Sequence, residues 1–272
     1  MNKKRNLLMT ILVVVGVVIV NHLTAEIFSG LANTYLAQFL GELKSTALAV
    51  LAAFILKKMW IYRRFDLTLL KKGWTAGIPQ ILFMLLPISS ILVNKPSVTA
   101  GPVDILFFAL MMVCVGIYEE TLFRGLLQNA FHEFFGEDTV GHVILAVVCA
   151  GLCFGATHLI NATRPGVSFR DAAIQAFGAA GAGMLFCAIY FRTGKNLWYI
   201  MLLHGLHDTL SFIASDGLSG ANSDAVISSS AQNESAGPLL IGQFVFYVIM
   251  AFFVLRKKKV EPLLKKNEAE RF

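Results

Sequence analysis

The stretch DILFFALMMVCVGIYEETLFRG, residues 104–125, joins a long apolar run to three charged residues. After one aspartate, its first two thirds contain only apolar residues, one glycine and one tyrosine, which is typical of a membrane span. Glu119, Glu120 and Arg124 follow directly. An ionisable side chain at the centre of a span costs roughly 2.5–3.5 kcal/mol even on insertion scales, so such residues indicate a functional site.

The composition of the whole chain indicates a membrane protein. The 272 residues are 56% hydrophobic and 15% charged, and the mean hydropathy is +0.67. Soluble domains average about 45–50% apolar and about 25% charged residues. The apolar runs are continuous and do not alternate with polar residues, which argues against a transmembrane β-barrel. The sequence therefore predicts an all-α polytopic membrane protein.

About eight transmembrane helices are predicted, at roughly 20 apolar residues per crossing. The first apolar run is long and is followed by further spans, so we interpret it as a retained helix and not as a signal peptide. A segment near 62–74 has apolar and basic residues on opposite faces and is predicted to lie on the membrane surface. The predicted spans lie near residues 7–25, 38–56, 76–93, 103–120, 142–160, 172–191, 197–214 and 238–255.

The distribution of Lys and Arg predicts that both termini are cytoplasmic, because cytoplasmic loops are rich in these residues. With the N-terminus inside, all but four of the 23 basic residues fall on the cytoplasmic side. The four exceptions are Lys44, Lys95, Arg164 and Arg170. The basic residues are not interleaved with aromatic ones as in a nucleic-acid groove. The expected partners therefore include the lipid bilayer and no nucleic acid.

The first polar cluster is formed by the charged residues of the opening stretch. Glu120 and Arg124 are four residues apart, so they share a face of a helix and can pair. Glu119 lies about 100° away around the helix axis, so it does not share the face on which Glu120 and Arg124 can pair and is available for catalysis. The alternative is that all three charges are solvated at the cytoplasmic end of the predicted 103–120 helix.

A second polar position, His158, interrupts the predicted span 142–160. Phe154 lies one turn before it on the same face. Gly151 and Gly155 form a G-x-x-x-G pair, which allows another helix to approach closely. The alternative is a histidine that only hydrogen-bonds a neighbouring backbone group.

The third cluster is LLHGLHDTL, residues 202–210, which holds three ionisable residues within five positions of a predicted span. His204 and Asp208 are four residues apart and share a face. His207 either shares that face or flanks it. Packing does not explain this density of ionisable groups, so the cluster indicates function.

The economical arrangement of the three clusters is one water-accessible cavity inside the helix bundle. A carboxylate there can take a proton from water, and an imidazole can orient the nucleophile or stabilise negative charge. The candidate catalytic residues are Glu119, Glu120, His158, His204 and Asp208. The supporting residues are Arg124, Phe154 and His207. No cofactor is expected, and the alternative is a divalent metal such as zinc. Its ligands would be Glu119, His158, His204 and Asp208.

Three other kinds of intramembrane protease do not fit the motifs. A site-2-type zinc protease needs His-Glu-x-x-His, and HEFFG at 132–136 has Gly136 where the second histidine belongs. The spans lack the Gly-x-Ser-x-Gly-like turn of a rhomboid serine protease and the Gly-x-Gly-Asp motif of presenilin-type aspartyl proteases.

The ordered polar motifs resemble those of the CPBP intramembrane protease family, also called the Abi or CAAX prenyl protease family. The family pattern is Glu-Glu-x-x-x-Arg, then Phe-x-x-x-His, then His-x-x-x-Asn or Asp, on successive membrane helices. Here the motifs read EETLFR (119–124), FGATH (154–158) and HGLHD (204–208). The resemblance covers roughly residues 103–214.

The resemblance implies that the protein hydrolyses a peptide bond of a membrane-associated protein or peptide. It implies that Glu119 activates water with the help of His158, and that His204 and Asp208 stabilise the oxyanion or orient its donors. Glu120 would support the site through an ion pair with the arginine of the first motif.

Asp208 stands where eukaryotic CAAX proteases carry Asn, whose amide can donate a hydrogen bond to an oxyanion. An ionised Asp cannot donate. Three roles are therefore open: an Asp208 kept protonated by apolar surroundings, an orienting partner for His204, or a metal ligand.

The short loops and basic ends resemble those of a multi-pass protein of the bacterial plasma membrane. For bacterial members the resemblance implies bacteriocin maturation, self-immunity, pheromone processing or control of a membrane sensor. One alternative function is a non-catalytic membrane partner that modulates a sensor kinase or confers bacteriocin immunity. Another is an ion or proton transporter, in which the same side chains relay charge.

The predicted organisation is a single membrane domain over residues 1–272. Its parts are N-terminal helices in 1–102, a catalytic helical core in 103–214, a flexible extracytoplasmic loop in 215–237, and the last helix with a basic cytoplasmic tail in 238–272.

Overall fold

The computed structural model describes residues 2–62, 67–164, 166–215, 218 and 237–269. Every regular element in these ranges is helical, which confirms the predicted fold class. The α-helices are α1 (Lys3–Leu23), α2 (Thr34–Ile55), α3 (Leu67–Phe83), α4 (Leu85–Asn94), α5 (Pro102–Glu120), α6 (Asn129–Phe135), α7 (Val140–Thr157), α8 (Phe169–Arg192), α9 (Leu197–Ala214), α10 (Gly237–Val254) and α11 (Lys257–Ala269). Short 3-10 helices are Ala25–Phe28, Met59–Tyr62 and His158–Thr163.

Within the described residues, six helical stretches are long and apolar enough to cross a membrane, against about eight predicted. The six are Lys3–Leu23, Thr34–Ile55, Trp74–Asn94, Pro102–Phe135, Val140–Thr163 and Phe169–Arg192. The other two predicted spans correspond to α9 and α10. In α9, His204, His207 and Asp208 lower the apolar character of an 18-residue helix. The chain is a multi-pass membrane protein.

The predicted span 103–120 is too short at its C-terminal end, because the helix continues to Phe135. α5 passes into a π-helical segment, Thr121–Gln128, which leads into α6. π-Helical turns are rare and are found frequently at functional sites. Glu119 and Glu120 therefore lie in the middle of a long helix, and a helix end with solvated charges does not describe them.

Asn129 stabilises the C-terminal part of the π-helical segment. Its side-chain amide donates to the carbonyl oxygens of Arg124 at 3.2 Å and Gly125 at 2.8 Å, and to the hydroxyl oxygen of Tyr190 at 2.9 Å. The wider π turn changes the usual i to i+4 pairing of backbone groups, and a side-chain donor satisfies the displaced carbonyls. Tyr190 belongs to α8, so the same amide joins this segment to the centre of the bundle.

α8 is the central helix of the bundle. In its most apolar 18-residue stretch, 67% of the residues are buried inside the protein, whereas the corresponding share in α1 is 11%. The G-x-x-x-G pair of α7 faces α8: a Cβ atom at Gly151 would lie 2.7 Å from Met184 N, and one at Gly155 would lie 2.4 Å from Ala176 O. The predicted close approach of another helix is therefore made by α8. This contact holds the C-terminal end of α7 against α8 at the centre of the bundle.

Two predicted segments fall wholly or partly outside the described residues. The surface segment near 62–74 includes residues 63–66, which are not described, and α3 begins at Leu67. Most of the predicted loop 215–237 likewise lies outside the described residues.

Candidate active site

His204 of α9 is surrounded by three carboxyl groups from two helices. Its Nδ1 lies 2.5 Å from Oε1 of Glu120. Its Nε2 lies 3.3 Å from Oε2 of Glu119 and 3.3 Å from Oδ2 of Asp208. An ionised carboxylate only accepts hydrogen bonds, so Nδ1 donates to Glu120. The second ring nitrogen, Nε2, therefore faces the other two carboxyl groups.

The two neighbouring glutamates differ in their access to solvent. The side chain of Glu120 is fully buried, while that of Glu119 is 20% exposed and that of Asp208 is 31% exposed. Glu119, Asp208 and the Nε2 side of His204 thus line the open part of the site. Glu120 lies on the buried side of the imidazole, next to Nδ1.

Arg124 lies beside Glu120 at the spacing that the sequence predicts. Its Nη1 is 3.0 Å from Oε1 of Glu120, and both side chains are fully buried. The guanidinium carbon also lies 4.6 Å from the ring centroid of Phe154 and 5.3 Å from that of Phe186. Aromatic faces attract a desolvated cation, so the two rings help to hold a charge that lipid would otherwise destabilise.

His158 and Phe154 form the wall of the site contributed by α7. The His158 ring stands edge-on to Phe154 with 5.1 Å between centroids, and the same phenylalanine lies 6.3 Å from the His204 ring. Phe154 is therefore flanked by both imidazoles. His158 is half-buried and directly follows the last residue of α7.

His207 flanks the site. Its ring packs against Phe83 of α3, with 5.9 Å between centroids, and its Nδ1 is buried without a hydrogen-bond partner. Helical spacing allowed this residue either to share the face of His204 or to flank it, and the structure places it on the flank.

Phe186 of α8 is a site residue that the sequence does not reveal. Its ring stacks on that of His204, with centroids 5.1 Å apart and planes 21° apart. The same ring is one of the two that contact Arg124. Because apolar spans contain many phenylalanines, the sequence pattern does not distinguish Phe186 from the others. The glycines at the helix contacts are weakly predictable, because small residues are enriched where membrane helices meet.

The site residues include carboxylate and imidazole groups, which are donors for a divalent metal. Among the described residues, no group of three or more His, Cys, Asp and Glu side chains is arranged to hold a metal ion. Nδ1 of His204 is engaged by Glu120, so Nε2 is the nitrogen of that ring left to face a ligand. The expectation that no metal is required stays a prediction.

Comparison with known proteins gives one family. Residues 101–210 match the family model described as type II CAAX prenyl endopeptidase Rce1-like, which agrees with the resemblance carried by the three motifs. No curated protein and no solved structure matches the chain. The family match supports an intramembrane endopeptidase of the CAAX protease kind.

Proposed function

Because residues 101–210 of this chain match the family model described as type II CAAX prenyl endopeptidase Rce1-like, we propose that the protein hydrolyses a peptide bond within the membrane with water activated by Glu119. The observation that carries the proposal is the position of His204, between a buried carboxylate, Glu120, and two partly exposed ones, Glu119 and Asp208. General-base hydrolysis requires a base that can reach a water molecule, and Glu119 lies on the open side of this arrangement.

Glu119 is the base in this proposal. It is partly exposed, and the cation of the motif pairs with its neighbour Glu120. Its carboxylate takes a proton from water while the oxygen of that water attacks the carbonyl carbon of the substrate. When the tetrahedral intermediate collapses, Glu119 gives the proton to the departing amine. The products are a carboxylic acid and an amine, and the base returns to its starting state.

His204 stabilises the oxyanion of the tetrahedral intermediate in this proposal. Its Nδ1 is held by Glu120, whose charge is in turn paired with Arg124. The ring is fixed further by stacking on Phe186. Three carboxyl groups around the ring favour its doubly protonated form, in which both nitrogens carry a hydrogen. The N–H group at Nε2 then faces the open side, and a preorganised donor stabilises developing charge without reorganisation during the reaction.

Asp208 is a positioning residue for His204. An ionised carboxylate cannot donate to an oxyanion, whereas its 3.3 Å distance to Nε2 of His204 suits an orienting role. This geometry favours the second of the three roles open to the residue. His158, across Phe154 from His204, is the remaining candidate for assisting water or the oxyanion.

The substrate class is a membrane protein or membrane-associated peptide, since the site is built from membrane-spanning helices. We place the protein in the bacterial plasma membrane. Its physiological partner or substrate would be a membrane sensor kinase or a bacteriocin-related peptide.

The test is comparative peptidomics of membranes that contain the wild type or Glu119→Gln. The expected result is that an uncut precursor accumulates and its fragments disappear in the variant. Glu133→Gln is the matched control, because Glu133 lies further along the same long helix and pairs with Lys58 at the surface. Identical peptide profiles for wild type and Glu119→Gln, with the biological phenotype retained, would identify a non-catalytic membrane partner instead.

A further inference from the structure

A cluster of cations lies where α10 turns into α11, at the end of the bundle that also holds the end of α8. Arg256, Lys257, Lys258 and Lys259 are consecutive and all exposed. Arg192, the last residue of α8, donates a hydrogen bond from Nη1 to the carbonyl oxygen of Lys259. These five residues are called the basic corner below.

The packing of α11 fixes the direction in which the basic corner faces. Val260 is fully buried and Leu264 is 9% exposed, and both belong to the main hydrophobic core. α11 also contacts α7. With these apolar side chains anchored, the lysines of the first turn project away from the bundle. The helix is therefore amphipathic and held at the bundle surface, as interfacial helices are.

The charges of the basic corner are poorly compensated among the described residues. Nε of Arg192 is buried without a hydrogen-bond partner among these residues. Lys257 reaches Glu261 at 3.4 Å, in a pair whose side chains are 76% and 47% exposed. Exposed pairs of this kind contribute little. By contrast, Lys195 pairs with a largely buried carboxylate, that of Glu137.

The helix dipole adds to this excess of positive charge. The first turn of α11 contains three lysines and no acidic residue, although the N-terminus of a helix carries partial positive charge and favours anions. The first turn of α1 is also basic, but there Asn2 accepts a hydrogen bond from Lys4 N, and Asp138 interacts electrostatically with Lys3. Among the described residues, the basic corner has only the exposed pair of Lys257 with Glu261 as compensation, so an external anion would stabilise it.

We propose that the basic corner binds the phosphate of an anionic phospholipid headgroup. The surface is continuous with a lipid-facing one: Phe252 and Phe253, at the end of α10, are 47% and 53% exposed. The guanidinium of Arg256 lies 4.2 Å from the ring centroid of Phe253. A lipid whose acyl chains pack on these rings has its headgroup at the level of Arg256 and the lysines. Basic clusters directly beyond a membrane helix attract anionic lipids in this way.

The experiment uses the full-length protein in nanodiscs of phosphatidylcholine, with or without phosphatidylglycerol, at equal total lipid. Phosphatidylglycerol should raise the unfolding temperature of the wild type at low ionic strength, and salt should reduce the gain. The combined variant Arg256→Gln, Lys257→Gln, Lys258→Gln, Lys259→Gln should lose the gain and bind phosphatidylglycerol at least about ten-fold more weakly in native mass spectrometry. The single variant Arg256→Gln gives a second measurement if the combined variant does not fold.

The matched control is Lys3→Gln, Lys4→Gln, Arg5→Gln, which removes three exposed cations from the other basic helix start and should keep the gain. Inorganic phosphate added to phosphatidylcholine nanodiscs should give no gain, because a free ion lacks the apolar contacts. The proposal is overturned if phosphatidylcholine stabilises the wild type equally, if the Arg256 variants keep the full gain, or if the control loses as much. It is also overturned, in favour of a free-anion site, if inorganic phosphate reproduces the effect.

Discussion

Gly116 of α5 and Met201 of α9 are in direct backbone contact: a Cβ atom at Gly116 would lie 2.7 Å from the Met201 carbonyl oxygen. One turn further along α9, a Cβ at Gly205 would lie 3.1 Å from the carbonyl oxygen of Met112. The two helices thus meet at glycines on both sides of the crossing. This close crossing lets Glu120, which follows Gly116 by one turn, reach His204.

We expect Gly116→Ala to lower both stability and cleavage. The added methyl group must separate α5 from α9, and overpacking of this kind costs about 1–3 kcal/mol. The measurement is thermal unfolding in detergent together with cleavage of a membrane substrate. Gly16→Ala in α1 is the control, because nothing lies within 4 Å of a Cβ there. Equal stability and activity of the two variants would contradict the tight crossing.

Substitutions of Glu119 and Glu120 should have different effects, the first mainly on activity and the second also on stability. Glu119→Gln should abolish cleavage and leave unfolding almost unchanged, because this side chain is partly exposed. Glu120→Gln should destabilise the protein by about 3–5 kcal/mol, because it leaves the buried charge of Arg124 without its partner. Arg124→Gln should do the same for Glu120. Denaturant or thermal unfolding of the purified variants measures the difference, and unchanged stability of both buried-pair variants would count against the pairing.

The two histidines of α9 should differ sharply. His204→Ala should abolish cleavage, because it removes the group that contacts both glutamates and Asp208. His207→Ala should retain most activity, since its ring packs on Phe83 at the flank of the site. Rates of cleavage with purified protein, compared at matched folded fraction, test this. A loss of activity in His207→Ala as large as that in His204→Ala would show that the flanking residue reaches the reaction.

Asp208→Asn should keep part of the activity and Asp208→Ala should keep less. An asparagine can still accept a hydrogen bond from His204 through its amide oxygen, whereas alanine leaves the imidazole unrestrained on that side. Steady-state rates should fall mainly in kcat, as expected when the oxyanion donor is misplaced. Asp138→Asn, in an exposed loop, serves as the control. Wild-type rates in Asp208→Ala would exclude the orienting role.

Treatment with a metal chelator should leave cleavage unchanged. The described residues contain no group of three or more His, Cys, Asp and Glu side chains arranged to hold a metal ion. The measurement is activity before and after chelation, with elemental analysis of the purified protein. Loss of activity that zinc restores would replace the proposed mechanism with a metal-dependent one, whose ligands would come from the same residues.

Contacts within one helix were predictable from spacing. Glu120 with Arg124, and His204 with Asp208, are four residues apart, and each pair is in contact in the structure. The position of His207 was not predictable, because a residue three places from His204 lies near the edge of the same face. The predicted end of the helix at residue 120 was also wrong. The charged residues there resemble a membrane boundary, but a π-helical segment, Thr121–Gln128, continues the helix beyond the two glutamates.

The membrane class, the helical architecture and the ordered motifs follow from the amino-acid sequence alone, because hydropathy and helical spacing are local properties of the chain. The packing of the helices is needed to show that Glu120 is buried, that Glu119 is partly exposed, and that Phe186 stacks on the imidazole of His204. These relationships join different helices. They depend on where glycines let backbones touch, and that distance is a property of the packed bundle and not of any one segment.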